Sequence, residues 1–468
     1  MGRMMFCSHV AGFDCCRTLR LAMIGAALTS WLSVHPALAQ VTTQMLIGDS
    51  VSEVGTKYPD VDEAIKRFTN RDFLGARTFL ETAERKDPSL PPTDLTLAKL
   101  YFLSGDEAAG RNSLEATVAL APGDPEVFLI LADQAIRQGR TVEAEALYDK
   151  GLQLTDKFAK NAKRKRNFEI RARTGRALVA ERRKNWTGAT ADLRALLKVD
   201  PDNATAHYRL GAALFMQAKT GADFKAGYDE FVAAKKLDKN LPNSYVATAL
   251  MYDQLGKKNE AQQAFDRAVG EDKANANTMA SYAQWLIKNG SVEKAEAALV
   301  DARKANPSSL DILILSGVAA RMAKKMKPAE DYFLEALRIA PSNGAVLNQL
   351  ALLLVDQADQ DKRDRALQFA GINAKLNTES SEAQVTLSWV LYQLGRLAEA
   401  DVAFRNGVRL GMGNLTPDSS YIVAKMLVDQ NRGDMAKQIL TTALQTENQG
   451  IFVNRKEAQA LLDTLDKP

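Results

Sequence analysis

The stretch LDILILSGVAARMAKKMKPAEDYFLEALRIAPSN, residues 310–343, decides the reading of the chain. Its apolar residues recur at three- and four-residue spacing, as in Tyr332, Phe333, Ala336, Leu337 and Ile339, which is the period of an amphipathic helix. Small residues stand at fixed offsets: Gly317, then Ala329 twelve residues on, then Ala336 seven further, before Pro341 closes the stretch. One step of 34 residues back, the same register yields Ala283, Ala295, Ala302 and Pro307; a second step yields Ala249, Ala261 and Ala268. Recurrence at this period marks stacked supersecondary units.

Carried along the chain, the register predicts about eleven units, starting near residues 57, 91, 125, 170, 204, 242, 276, 310, 344, 381 and 417. The first small column reads Ala64, Ala98, Ala132, Ala177, Gly211, Ala249, Ala283, Gly317, Ala351, Ser388 and Ala424. The second reads Ala76, Gly110, Ala144, Ala189, Gly227, Ala261, Ala295, Ala329, Ala366, Ala400 and Ala436. No bulky residue interrupts either column. Two antiparallel helices need such residues where their axes come closest. Several first helices end on a glycine (Gly105, Gly139, Gly256, Gly290, Gly395), which accepts the left-handed conformation of a helix stop. Prolines at 88, 122, 201, 307 and 341 stop second helices.

These residues resemble the tetratricopeptide repeat family, whose pattern places small residues at its eighth, twentieth and twenty-seventh positions and proline at its thirty-second. The resemblance covers roughly residues 57–448. It departs at Thr117, Leu196 and Asn373 in the third small column, and several units lack the proline. It implies an all-α, right-handed α-solenoid of helix-turn-helix repeats over residues 57–450. A C-terminal capping helix is expected over 451–468. There Asn454 and Glu457 read as a capping box, and Ala458, Leu461, Leu462 and Leu465 form one apolar stripe.

Ahead of the repeats, residues 1–20 carry Arg3, Arg17 and Arg20 against Asp14, and an apolar run follows from Leu21 to Val34. Ala37-Leu38-Ala39 then precedes Gln40. That order matches a secretory signal peptide over 1–39, and the run is short of the ~20 residues a bilayer span needs. The long basic region leaves Met4, Met5 or a later methionine open as the start. Residues 40–56 read as a polar leader. The expected location is therefore outside the cytoplasm, in the periplasm, with no stable membrane span after cleavage. Losing three bases and one acid changes the balance from 61 against 57 to 58 against 56, so no bulk attraction to nucleic acid is expected. All three cysteines (Cys7, Cys15, Cys16) and two of three histidines go with the segment.

Little remains to carry chemistry. His207 is the one histidine beyond residue 39, at a position where the resembled family packs a large ring. A triad, a zinc site of the usual ligands and a phosphate-binding loop all lack their residues. Gly411-Met412-Gly413 starts like a dinucleotide fingerprint but has Thr416 where the third glycine belongs. Carboxylate pairs of the glycosidase type stay open. No cofactor, metal or enzyme activity is expected.

Two surfaces remain. A basic run over 157–184, including Lys163, Arg164, Lys165, Arg166, Arg171 and Arg173, falls where successive units lie 45 residues apart instead of 34. It reads as an anion-binding face for an acidic carbohydrate, anionic lipid or acidic protein, or as a lengthened, solvated helix pair. The other surface is implied by the resemblance: first helices line a concave groove through their second, fifth, ninth, twelfth and thirteenth positions. Here those slots hold Tyr208, Phe215, Ile314, Val318, Asn348, Leu352, Trp389, Tyr392 and Tyr421. The lysine–asparagine pair with which family members clamp a C-terminal carboxylate is missing from the aligned units. An apolar, aromatic groove would hold a partner helix or extended segment of an envelope protein. Each ring has the alternative of packing between neighbouring first helices. The groove reading expects Trp389 and Tyr392 to be removable without loss of stability.

Overall fold

The computed structural model describes residues 46–47, 58–411, 414–445 and 450–466. The expected signal segment, and the leader apart from Leu46 and Ile47, lie outside the described residues. Those two leader residues are buried against Val61, Ile65, Phe68 and Leu100, so this part of the leader is packed rather than solvated.

The described residues form 23 helices and no strand, joined as antiparallel hairpins. They divide into two compact units, one running to Ala261 and the other from Gln262, with the division inside the helix Lys258–Glu271. In the first unit, Thr93–Leu103 pairs with Glu107–Leu120, Pro125–Arg137 with Thr141–Lys157, Ala162–Arg182 with Trp186–Val199, and Ala204–Gln217 with Gly221–Leu237. In the second, Leu310–Met322 pairs with Met326–Ile339, Gly344–Val355 with Gln360–Leu376, Ser381–Gln393 with Leu397–Gly411, and Pro417–Asp429 with Gly433–Gln445.

Both small columns are buried throughout, and the close approach that requires them is visible at the glycines. A Cβ on Gly317 would lie 2.4 Å from the Phe333 ring. Gly211 and Gly227 face each other across one hairpin. A Cβ on the first would come within 2.9 Å of the carbonyl oxygen of the second, and the reverse within 3.0 Å. Ala329→Leu forces three more heavy atoms into such a contact and is expected to cost about 1–3 kcal/mol through overpacking. Urea unfolding checks it; a neutral result would show that the register is wrong.

The five predicted glycine stops all have positive φ, between 72° and 82°. Arg71, Lys184, Lys324 and Asn431 take the same left-handed position in other hairpins at φ near 60°, without the glycine that made the stop readable. The 45-residue spacing resolves into a 17-residue second helix, Thr141–Lys157, followed by a 21-residue first helix, Ala162–Arg182. At the C-terminus, Arg455–Leu465 buries Ala458 and Leu462 on the last hairpin, with Leu461 and Leu465 half-buried beside them, as the stripe predicts. The capping box does not form. The Asn454 side chain donates instead to Asp418 Oδ1 at 2.7 Å, and Glu457 pairs with Lys324 at 2.7 Å.

Candidate functional site

Seven of the nine predicted groove residues are interior. Tyr208, Phe215, Ile314, Val318, Asn348, Leu352 and Trp389 are all buried, and for them packing replaces the groove-lining role. Tyr208 and Phe215 stand 5.0 and 5.6 Å from the Phe231 ring, centroid to centroid, and burial pushes the Tyr208 hydroxyl up to about 12. Asn348 accepts a hydrogen bond from Asn373 Nδ2 at 2.6 Å, which also explains the asparagine in the third small column. The cause is steric. Tyr208 and Phe215 are consumed by packing on Phe231 of the second helix, and Leu352 and Trp389 by one cluster with Val355, Ile422 and Met426.

Tyr392 and Tyr421 are half-buried and remain on the surface. They belong to one strip in the second unit, on the first helices Ser381–Gln393 and Pro417–Asp429. Tyr392 stacks on Trp389 at 6.0 Å and 20°, and its hydroxyl donates to Asp429 Oδ2 at 2.8 Å. That bond, to a carboxylate, raises the phenol's pKa above its ordinary value. Lys425 Nζ sits 4.2 Å from the Trp389 ring centre and 5.6 Å from that of Tyr421. Rings and cation are thus held in a fixed mutual geometry, each such contact stabilising the other's orientation. Lys425 occupies the ninth position of its unit, where a lysine carries no apolar signal in the sequence.

Arg321, at the twelfth position of its unit, was also missed. It is buried and donates from Nη1 to Gln349 Oε1 at 2.8 Å. Burial pushes its pKa down, against the opposite pull of Asp418, Asp356 and Glu457. Asp418 is raised by burial, although it accepts the amides of Val453 and Asn454 at 3.1 and 3.0 Å. Asp418 fastens the start of the C-terminal helix to the last hairpin.

The six residues named from the basic run are spent on partners within the chain. Arg164 is 1% exposed and pairs with Asp124 at 2.8 Å and Glu126 at 3.1 Å. Arg171 donates from Nε to Asp133 at 2.7 Å, Arg173 to Glu169 at 2.9 Å, and Arg166 to Asp200 at 3.0 Å. Lys165 donates to the Asp156 carbonyl at 3.0 Å. Lys163 lies on the same turn and is engaged as well. The run reads as basic in sequence because most of these acidic partners sit 30 to 40 residues away: Glu126 and Asp133 on Pro125–Arg137, Asp124 just before it, and Asp200 just after Trp186–Val199. It is not a solvated helix pair, since its arginines tie the long helix Ala162–Arg182 to its neighbours.

His207 is not a packing ring either: Nδ1 lies 2.6 Å from Glu230 Oε2 and Nε2 donates to the Pro201 carbonyl at 3.0 Å. Among the described residues no group of three histidines, cysteines or acids could hold a metal ion, and no helix is long and apolar enough to cross a membrane.

The sequence matches the family description "TPR repeat" over residues 182–217, and "Tetratricopeptide repeat" over 95–160, 242–275 and 283–344. A curated relative, the TPR repeat-containing protein PA4667 of Pseudomonas aeruginosa, is 25% identical over 205 residues, which are 44% of this chain. The chain spans about a third of that relative's length, 34%. Among solved structures, a tetratricopeptide repeat protein from Parabacteroides merdae is similar with a TM-score of 0.42 and 16% identity, over 56% of this chain and 99% of that one. Yeast Tom70 is similar with a TM-score of 0.38 and 16% identity, over 87% and 95%. Both are likenesses of fold alone.

Proposed function

The chain is a tetratricopeptide-repeat protein, and from that premise we propose that it is a non-enzymatic scaffold of the cell envelope that holds a partner protein against the strip Tyr392, Trp389, Lys425 and Tyr421. Repeats of this kind serve protein–protein interaction in general; the envelope and the strip are the further steps. The observation that carries the reading is the strip itself. Tyr392 and Lys425 rest on a buried tryptophan and the lysine reaches on to Tyr421, so little side-chain entropy is lost when a partner covers them. Aromatic anchors of this sort concentrate binding energy at interfaces. The N-terminal order of basic region, apolar run and Ala37-Leu38-Ala39 supports export.

Photocross-linking in the native envelope tests both parts. A cross-linking residue in place of Tyr421 or Tyr392 is expected to trap one partner, whereas the same residue in place of Glu335, on a second helix, is expected to trap none. Equal capture at all three positions, or none at the tyrosines, would remove the strip from the interface.

A further inference from the structure

A pocket of about 300 Å3 lies within the second unit, where the second helix Val292–Ala305 meets the next hairpin, Leu310–Met322 with Met326–Ile339. Val300, Pro328 and the Tyr332 ring give it apolar walls, and Ala297 and Ala320 are too short to fill it.

Arg303 enters from the helix Val292–Ala305. Its guanidinium carbon lies 4.4 Å from the centre of the Tyr332 ring, and Nη1 donates to Ser316 Oγ at 2.8 Å. Ser316 is 2% exposed and in turn donates to the Ile312 carbonyl at 2.7 Å, so the group that orients the arginine is itself fixed. Ordering a long side chain in this way costs rotamer entropy. No carboxylate meets it: among the described residues Arg303 forms no ion pair. Other arginines that stack on rings in this chain do form one. Arg67 pairs with Glu63 at 2.9 Å, Arg164 with Asp124 at 2.8 Å and Arg365 with Glu330 at 3.0 Å. The other charged side chains lining the pocket cancel, because Lys325 Nζ lies 2.9 Å from both carboxylate oxygens of Glu296. One positive charge is left over, and it belongs to Arg303.

We propose that this pocket binds a carboxylate carried on a short apolar stem. With Nη1 engaged, Nε and Nη2 remain, the side-by-side donors that match the two oxygens of a carboxylate. The apolar walls suit a hydrocarbon stem, and a single surplus charge suits a monocarboxylate better than the more highly charged phosphate. Two sources supply that chemistry: a free aliphatic acid, or the acidic side chain of a partner segment. The inference does not rest on the strip around Trp389, none of whose residues lines the pocket.

The test is saturation-transfer NMR of the full chain with 4-methylpentanoate and with its neutral amide, 4-methylpentanamide. The acid is expected to bind on the order of tenfold or more tighter than the amide. Arg303→Met keeps a stem over Tyr332 but loses the fork, and is expected to weaken the acid by a similar factor. Ala297→Leu fills the pocket from an exposed position without altering its charge, and is expected to weaken the acid as well. Tyr421→Ala is expected to leave binding unchanged, which separates this site from the strip. Circular dichroism and melting establish that each variant is folded. The blocked peptide N-acetyl-Ala-Ala-Glu-Ala-Ala-amide distinguishes the sources: binding as tight as the acid's assigns the pocket to a partner's side chain, and weaker binding assigns it to a free acid. No binding of the acid, equal binding of acid and amide, undiminished binding to Arg303→Met, or equally effective competition by inorganic phosphate would overturn the proposal.

Discussion

Arg164→Ala is expected to destabilise the first unit by about 3–5 kcal/mol, because it leaves the buried Asp124 without its cation and Glu126 with Lys99 alone. Asn161 starts the helix Ala162–Arg182 by accepting the Arg164 amide at 3.0 Å, which fixes Arg164 in the first turn. Its guanidinium then packs beside the edge-to-face pair Phe158 and Phe168, 5.1 and 5.0 Å from their centres, with Asp124 and Glu126 as its anions. Burial alone would push the Glu126 carboxyl up, but Lys99 and Arg164 together outweigh it and hold the group at about 2. A carboxylate so depressed stabilises the fold fully above its ordinary value of 4.5 and loses that contribution as pH falls toward 2. Without Arg164 the Glu126 pKa moves back up, so acid unfolding begins at higher pH. Urea unfolding at neutral pH, repeated down to acid, reads both effects. A loss under about 1 kcal/mol would mean the pair is solvated like a surface bridge.

Trp389→Ala is expected to cost about 3–5 kcal/mol, the usual range for emptying a buried aromatic site. The indole is 5% exposed and belongs to one packed cluster with Leu352, Val355, Val390, Ile422 and Met426. Tyr392→Ala removes a half-buried ring and is expected to cost far less. The burial of the indole thus sets these expected losses against the sequence-based expectation that both rings can be cut without loss of stability. Thermal melting of the two single variants separates them. An unchanged melting temperature for Trp389→Ala would return that ring to the surface.

The hairpins were legible in the sequence because close helix packing tolerates only alanine, glycine or serine at its contact points, and that restriction repeats too often to miss. Turn stops were legible where glycine marks them, and invisible where Arg71, Lys184, Lys324 and Asn431 adopt the same φ. The candidate site was less legible. Periodicity places Ile314 and Trp389 on a first helix, but whether a slot faces water depends on how closely the next first helix approaches, and that distance is not written in the spacing. Charge misled for a related reason: the run around Arg164 shows its cations locally, while Asp124, Glu126 and Asp133 lie a full unit away in sequence. The strip at Lys425 escaped notice because a cation over rings matches neither an apolar nor an ionic pattern.

The scaffold reading is tested most directly by the affinity of the cross-linked partner for purified chain carrying Tyr421→Ala. A tyrosine anchoring an interface is expected to cost on the order of tenfold or more in Kd when truncated, with melting nearly unchanged and the loss persisting at high salt. An affinity equal to that of the parent chain, measured on a folded variant, would contradict it.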